Sequence, residues 1–388
     1  MSGVTLGIVS PTWSPMRHAL FQALARSQSV TPHVWFERPT MAHRPGWQIP
    51  DNTDYPWEIL NSLRVPFSNR LIPLGLPRAL AARCPDILMV TCLTQALWAL
   101  PVRTILGFKL VLWTGETHHQ VQGKPMSRAM YRLRQHLYPR LDGFACYHQS
   151  AMDYLETTYD VGQRPVFKLP QCMDIREFIS HNHAPRLHSP RVILALGRWV
   201  PGKGFRRLLR AWGDLPPNLI SRRVLVLAGD GPLSPALKAQ AQAIPRANIL
   251  FPGFIRPPGL PRLYAAAHAL VFPTLDDNWG FVVHEALAAG LSVLCAIHAG
   301  AREMIIPGKN GLLFDPRSHE DTVKALTDLL TGTPPLSVSP RNSGPLLDKY
   351  SPQEASRALI RGLGQVLALP PKVAGHSMGR TESSVHGI

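Results

Sequence analysis

The stretch Ala269-Leu-Val-Phe-Pro273-Thr-Leu-Asp-Asp277-Asn-Trp-Gly280-Phe-Val-Val-His-Glu285-Ala286 decides how this chain folds. Its opening apolar run, Ala269–Pro273, predicts a short strand buried on both faces. A polar loop follows, and Gly280–Ala289 then reads as a helix. A strand that passes through a loop into a helix is half of a parallel crossover, since parallel neighbours cannot be joined by a tight hairpin. The helix start offers backbone N–H groups and a positive dipole end, a seat for phosphate. From Gly280 to Glu285 such a helix advances about 7.5 Å. Asp277 and Glu285 can therefore flank a bound diphosphate, one towards hexose hydroxyls and one towards a ribose diol, because carboxylates accept hydrogen bonds from paired hydroxyls. The plainer alternative has Asp277 capping the helix and Glu285 solvated on its surface.

Outward from that stretch the same alternation repeats. Strands are predicted at Arg191–Gly197, Arg223–Gly229, Ala247–Phe254, Ser292–Ile297 and Gly311–Phe314, with helices at Gly204–Gly213, Ser234–Ala243, Pro258–Ala267 and His319–Leu330. The first half reads likewise. Its strands are Val4–Ser10, His33–Glu37, Asp86–Thr91, Phe108–Trp113, Gly143–His148 and Val166–Pro170, and its helices include Met16–Ala25, Pro77–Arg83 and Met126–Tyr138. The Pro- and Trp-rich stretch Arg38–Leu76 reads as a long loop with a short helix, and Pro-rich Thr333–Pro345 as the end of the second unit. The expectation is an α/β protein of two doubly wound, Rossmann-like domains, at 1–178 and 191–350. A linker at 179–190 joins them, a C-terminal helix at 351–369 has room to cross back to the first domain, and 370–388 is a disordered tail.

Composition agrees with a globular protein: 388 residues, 45% apolar and 17% charged. Five scattered cysteines without a C-x-x-C pair predict reduced thiols and argue against a zinc knuckle or a disulfide framework. No apolar run reaches membrane-spanning length; Leu93–Trp113 is interrupted by Arg103 and Lys109. The N-terminus lacks the basic segment of a secretory signal, so a cytoplasmic location is expected. A net charge of +16 suits contact with polyanions, or a solvated basic surface.

Two further glycine turns follow predicted strands. Gly197-Arg198-Trp199-Val200-Pro201-Gly202-Lys203-Gly204-Phe205 matches G-x-x-x-x-G-K, but has Gly204 where a P-loop needs Ser or Thr for Mg²⁺. What remains is an Arg and a Lys able to hold a diphosphate without metal. Ala228-Gly229-Asp230-Gly231-Pro232 lacks the third glycine of a dinucleotide fingerprint, so it reads as a tight turn at the edge of a cleft.

In this order the motifs resemble those of the family-4 retaining glycosyltransferases of the GT-B fold. The resemblance runs through Gly197–Phe205, Gly229–Pro232, Phe251-Pro-Gly-Phe254, Asp277–Gly290 and Gly300-Ala-Arg-Glu303 to Asn310-Gly-Leu-Leu-Phe314. It continues more loosely into the first half through Leu169-Pro-Gln-Cys-Met-Asp174. It implies two domains facing across a cleft, a UDP-, GDP- or ADP-linked sugar donor, retention of anomeric configuration, and no metal or cofactor. Arg198 and Lys203 would neutralise the leaving diphosphate, Glu285 would hold the ribose, and Asp277 would face the donor sugar with a shorter reach than the family's usual Glu. Backbone amides of Gly280, Phe281 and Val282 would contact phosphate and sugar, the Phe254-Ile255 turn would border the base, and Gly229 would line the cleft.

The sequence departs from the family at two places. Ser10-Pro-Thr-Trp13 stands where many members carry a glycine-rich loop. Trp113-Thr-Gly-Glu-Thr-His-His119 stands where many place a histidine, so Glu116, His118 and His119 are candidates for sugar or acceptor contacts. The basic-apolar segments Met126–Arg140 (Arg128, Arg132, Arg134, Arg140) and Arg64–Arg83 suit an anionic membrane surface, and the acceptor implied is a glycan, plausibly lipid-linked, at the inner face of a membrane. The rival readings are a metal-dependent transferase with Asp276 and Asp277 as cation ligands, and a non-catalytic nucleic-acid binder. No RNA- or DNA-reading motif is present, so nucleic acid is not expected as a partner.

Overall fold

The computed structural model describes residues 3–40, 47–65, 71–118, 128–180, 191–245, 247–333 and 340–369. The first sheet contains β1 (Val4–Ser10), β2 (Val30–Phe36), β3 (Trp57–Ile59), β6 (Ile87–Val90), β7 (Lys109–Thr114), β8 (Gly143–Cys146) and β9 (Val166–Lys168). A separate antiparallel ribbon joins β4 (Leu63–Arg64) to β5 (Leu71–Ile72). The strand order is β3-β2-β1-β6-β7-β8-β9, parallel throughout, with Val4 opposite Val30 and Leu6 opposite Ile87. The second sheet, also parallel, runs β12-β11-β10-β13-β14-β15: β10 (Arg191–Leu196), β11 (Arg223–Ala228), β12 (Ile249–Gly253), β13 (Ala269–Phe272), β14 (Ser292–Ala296) and β15 (Gly311–Phe314). Each order reverses once, between β1 and β6 in the first sheet and between β10 and β13 in the second. At such a reversal successive crossovers leave for opposite faces, and a crevice opens at the strands' C-terminal ends.

Helices cover both faces of each sheet, which is why the central strands read as unbroken apolar runs: all four residues of β6 and of β13 are buried. Alternate residues feed separate cores. Leu6 and Ile8 pack with Leu20, Phe21 and Phe167, whereas Val9 packs with Leu88, Val90 and Leu112 on the other face. The chain changes cores between Cys172, which belongs to the first domain, and Met173 and Phe178, which pack in the second beside Tyr264. The crossing thus falls earlier than the boundary expected at 178, and the helix Arg176–Ser180 sits with the second domain.

Several stretches differ from expectation. Trp57–Ile59, inside the presumed loop Arg38–Leu76, extends the first sheet as β3, with Trp57 opposite Val34 and against Phe36. Three residues are too few to show a period, and no helix precedes Leu76 among the described residues of that stretch. The helix Pro340–Asp348 forms despite Pro345, its Leu347 buried with Tyr350 against the second core. Helices at Leu93–Leu106 and Gln149–Thr158 were not predicted either. The first carries Pro101 and turns much of the apolar run 93–113 into a layer over the sheet. Among the described residues no helix is long and apolar enough to cross a membrane. The proposed linker and tail, 181–190 and 370–388, lie outside the described residues.

The last helix, Pro352–Leu367, starts at Ser351, whose hydroxyl accepts from the Glu354 N–H at 3.2 Å. It packs on the first domain, not the second: Ala355, Leu359, Leu363 and Val366 are buried beside Leu20, Phe21 and Phe167. Gly362 lies flat against the Phe167 ring, with no room for a Cβ. Gly362→Val is therefore expected to lower unfolding stability by about 1–3 kcal/mol through overpacking, read as a drop in the urea midpoint at unchanged slope.

Candidate functional site

The reversal point of the second sheet is built by two loops, one after β10 and one after β13. They are tied through Gly202, whose carbonyl accepts from the Leu275 N–H at 2.9 Å and from Thr274 Oγ1 at 3.2 Å. Gly204 has φ +71, and a Cβ there would run into the Pro273 carbonyl. That contact explains why the P-loop's hydroxyl residue is absent: the backbones pass too closely for a side chain. The approach brings Lys203 Nζ into an ion pair with Asp277 Oδ2, both side chains about one-fifth exposed. The other Asp277 oxygen accepts from the Trp279 N–H at 3.2 Å. Arg198, on the same loop as Lys203, is exposed, and Trp199 behind it is buried against Phe251. Gly229 packs its backbone onto the Gly197 carbonyl, closing the ends of β10 and β11 together.

Gly280, at φ +107 against the Phe272 ring, turns the chain into the helix Phe281–Ala288. Phe281 and Val282, in its first turn, are half-buried near Asp277 in sequence. Glu285 is not solvated, as the plainer reading had it, but 7% exposed. Tyr264, from the helix Leu260–Ala266, donates its hydroxyl to Glu285 Oε2 at 2.6 Å. Burial raises the Glu285 pKa to about 7, with the Tyr264 hydrogen bond opposing it. Its neighbour His284 is also buried; it accepts from Trp279 Nε1 at 3.0 Å, and burial lowers its pKa to about 3, so it stays neutral. Phe254 is 70% exposed beyond the end of β12, and Ile255 beside it leans on the second core.

The first domain meets this site along one seam. His148, after β8, lies nearly parallel to the Trp279 ring at 6.4 Å between centroids, and Gly300 passes so close to His148 that a Cβ would not fit. The Gln149 N–H donates to Glu303 Oε1 at 2.6 Å, Lys168 pairs with the other Glu303 oxygen, and Arg302 Nη2 donates to Ser150 Oγ at 2.8 Å. The sequence marked Gly300–Glu303 as a motif but gave no sign of its partners, which lie more than 130 residues away. His148 carried no local signal either.

Of the remaining candidates, Glu116 and His118 are engaged elsewhere. Arg134 grips both oxygens of Glu116, so this arginine is not part of a free basic stripe and Glu116 is held against the helix Arg128–Leu137. His118 Nε2 pairs with Thr157 Oγ1 at 3.1 Å and sets its ring on the edge of Tyr154. His119 lies outside the described residues. Asp276 Oδ1 is buried without a protein partner, while Asp277 is taken by Lys203. Among the described residues no group of three or more His, Cys, Asp or Glu side chains is placed to hold a metal ion.

Two parallel α/β domains joined at the C-terminal edges of their sheets make a GT-B fold. Residues 178–359 match the family described as glycosyl transferases group 1, and the fold is shared with solved glycosyltransferase structures. Among curated relatives, an uncharacterized glycosyltransferase of Methanocaldococcus jannaschii is 31% identical over 34% of this chain and 33% of its own. A sulfoquinovosyl transferase of Arabidopsis thaliana is 30% identical over 39% of this chain and 31% of its own, and a GDP-mannose-dependent alpha-mannosyltransferase of Mycolicibacterium smegmatis 30% over 51% of each. The chain thus spans about a third to a half of the length of these relatives. The sucrose-phosphate synthase of Thermosynechococcus elongatus shares the fold at a TM-score of 0.73 and 15% identity, over 94% of this chain and 99% of that one. A lipopolysaccharide outer core galactosyltransferase does so at 0.71 and 14%, over 93% and 99%.

The raised pKa of Glu285 has a stability consequence of definite sign. The folded state holds this proton more tightly than the unfolded one, whose carboxyl titrates near 4.5, so Glu285 costs stability progressively as pH rises from there through about 7. Glu285→Gln should therefore match the parent near pH ~4 and exceed it by on the order of 3 kcal/mol at pH ~8. The difference between the two proteins' urea titrations measures this, because the opposite contribution of His284 is common to both.

Proposed function

We propose that the chain is a retaining glycosyltransferase that moves a sugar from a nucleotide-diphosphate donor to a glycan acceptor. The observation that carries the reading is the Lys203–Asp277 pair at the reversal point, beside the start of the helix that holds Glu285. With the donor absent, Asp277 supplies the counter-charge for Lys203. A diphosphate entering the crevice takes over that role, and Asp277 is released to accept from sugar hydroxyls. Arg198 and the first-turn amides of Phe281 and Val282 complete the anion seat, and Glu285, fixed by Tyr264, accepts from the ribose.

The reaction breaks the bond between the anomeric carbon and a phosphate oxygen and forms one to an acceptor hydroxyl oxygen. The acceptor's proton passes to the departing phosphate, and attack from the leaving-group side retains configuration. Lys203, Arg198 and the helix start stabilise the charge that grows on the diphosphate, without a metal. Phe254 and Ile255 border the base. The acceptor is a glycan, lipid-linked and presented at the cytoplasmic face of a membrane.

The test uses the purified chain and a panel of UDP-, GDP- and ADP-sugars. Lys203→Ala should lower kcat/KM by about 10²–10³-fold, the range for loss of one charge-stabilising group. Glu285→Ala should weaken nucleoside diphosphate binding, and turnover should persist in chelator. Binding undiminished in both variants would overturn the site assignment.

A further inference from the structure

The first sheet has a reversal point of its own, and the proposed donor chemistry leaves it unused. It lies between the ends of β1 and β6, where Ser10-Pro-Thr-Trp13 replaces a glycine-rich turn. Arg17, in the first turn of the helix Pro15–Arg26, reaches back over this crevice. Its Nη1 donates to Ser10 Oγ at 2.7 Å, its Nη2 to the Tyr147 hydroxyl at 3.3 Å, and its guanidinium sits 4.9 Å from the centre of the Trp113 ring. Gly115 lets the Tyr147 ring lie against the backbone. The C-terminal ends of β1 and β7 and the loop after β8 thus hold one half-buried cation in place.

That cation lacks a counter-ion among the described residues, where every partner of its side chain is neutral. It also stands at a helix N-terminus, which favours anions, and this helix has no acidic residue in its first turn. Glu37, after β2, makes no ion pair with Arg17, and burial pushes the nearby Cys92 thiol up to about 11. Thr12 Oγ1, just after β1, and Trp113 Nε1, near the end of β7, are buried polar atoms without a protein partner. A positive dipole end, a fixed guanidinium and spare donors make an anion site. It adjoins the seam between the domains, because Tyr147 precedes His148, which packs on Trp279, two residues from Asp277.

We propose that Arg17 is the anchor for a phosphate group carried by the acceptor. The inference rests on the reading of the second domain as the donor site. In the first domain the phosphate would bridge Arg17 and the loop hydroxyls, holding the acceptor's reactive hydroxyl towards Asp277 and the donor sugar. The phosphate belongs either to a soluble sugar phosphate or to a lipid headgroup.

Calorimetric titrations of the full chain, Arg17→Gln and Arg17→Lys decide this. Each protein is titrated with UDP, GDP and ADP. Glucose 6-phosphate, glucose, and vesicles of phosphatidylglycerol or phosphatidylcholine follow, with and without the nucleotide. The parent should bind glucose 6-phosphate or phosphatidylglycerol in preference to its neutral counterpart, and which of the two it binds identifies the source of the phosphate. Arg17→Gln should lose roughly 10–100-fold on that probe, the range for one charge-assisted pair, with nucleotide affinity unchanged. Arg17→Lys should retain part of the affinity, since an ammonium attracts phosphate without spanning it, and it keeps the test readable if the Gln variant melts early. The proposal is overturned if neither probe binds the parent, if Arg17→Gln binds it equally well, or if nucleotide affinity falls as far as in Lys203→Ala. Phosphate binding through Arg17 in a chain that takes no nucleotide would sink the donor reading and leave this one standing.

Discussion

The organising constraint is that β10 and β13 are hydrogen-bonded neighbours whose following loops must part to opposite faces of the sheet. Before they part they run backbone to backbone, with Gly204 against the Pro273 carbonyl. Nothing larger than hydrogen fits there, so Lys203 and Asp277 are held in register by main chain instead of by flexible side-chain packing. A crevice defined in that way is preorganised: its charges are in place before a ligand arrives, which is the condition under which fixed charges speed a reaction.

Charge and burial then divide the labour. Lys203 and Asp277 remain partly exposed and neutralise one another, a pair an incoming anion can open. Glu285 is sealed behind the helix start with a single strong donor, Tyr264, and burial there raises its pKa and disfavours the charged form. On the proposed reading, that burial is kept because Glu285 has a binding task. The seam of His148, Ser150, Lys168 and Glu303 carries the geometry into the first domain, so the two crevices share one set of contacts.

Much of the frame could be read from sequence because parallel strands advertise themselves: β1 and β15 fall on the residues predicted, and most others within one to three of them. Trp57–Ile59 was missed because three residues carry no period, and Pro340–Asp348 because its prolines outweighed Leu347 until packing was known. The second-domain residues were legible because their loops are local motifs. Arg17, Tyr147, His148 and Tyr264 were not, since each owes its place to a partner on another element, and His148 to one in the other domain, which no local pattern encodes. Glu116 and Arg134 show the converse: both looked available in the sequence, and each satisfies the other.

The closing helix gives the molecule an order of assembly. Residues 352–367 complete the apolar layer over the first sheet, beside strands made from residues 4–36. During synthesis that layer stays bare until the chain's last described turn leaves the ribosome, by which time the second domain can already have folded. The domain translated first is therefore the one finished last, and its uncovered Phe21 and Phe167 are the surface that a nascent-chain chaperone would have to shield.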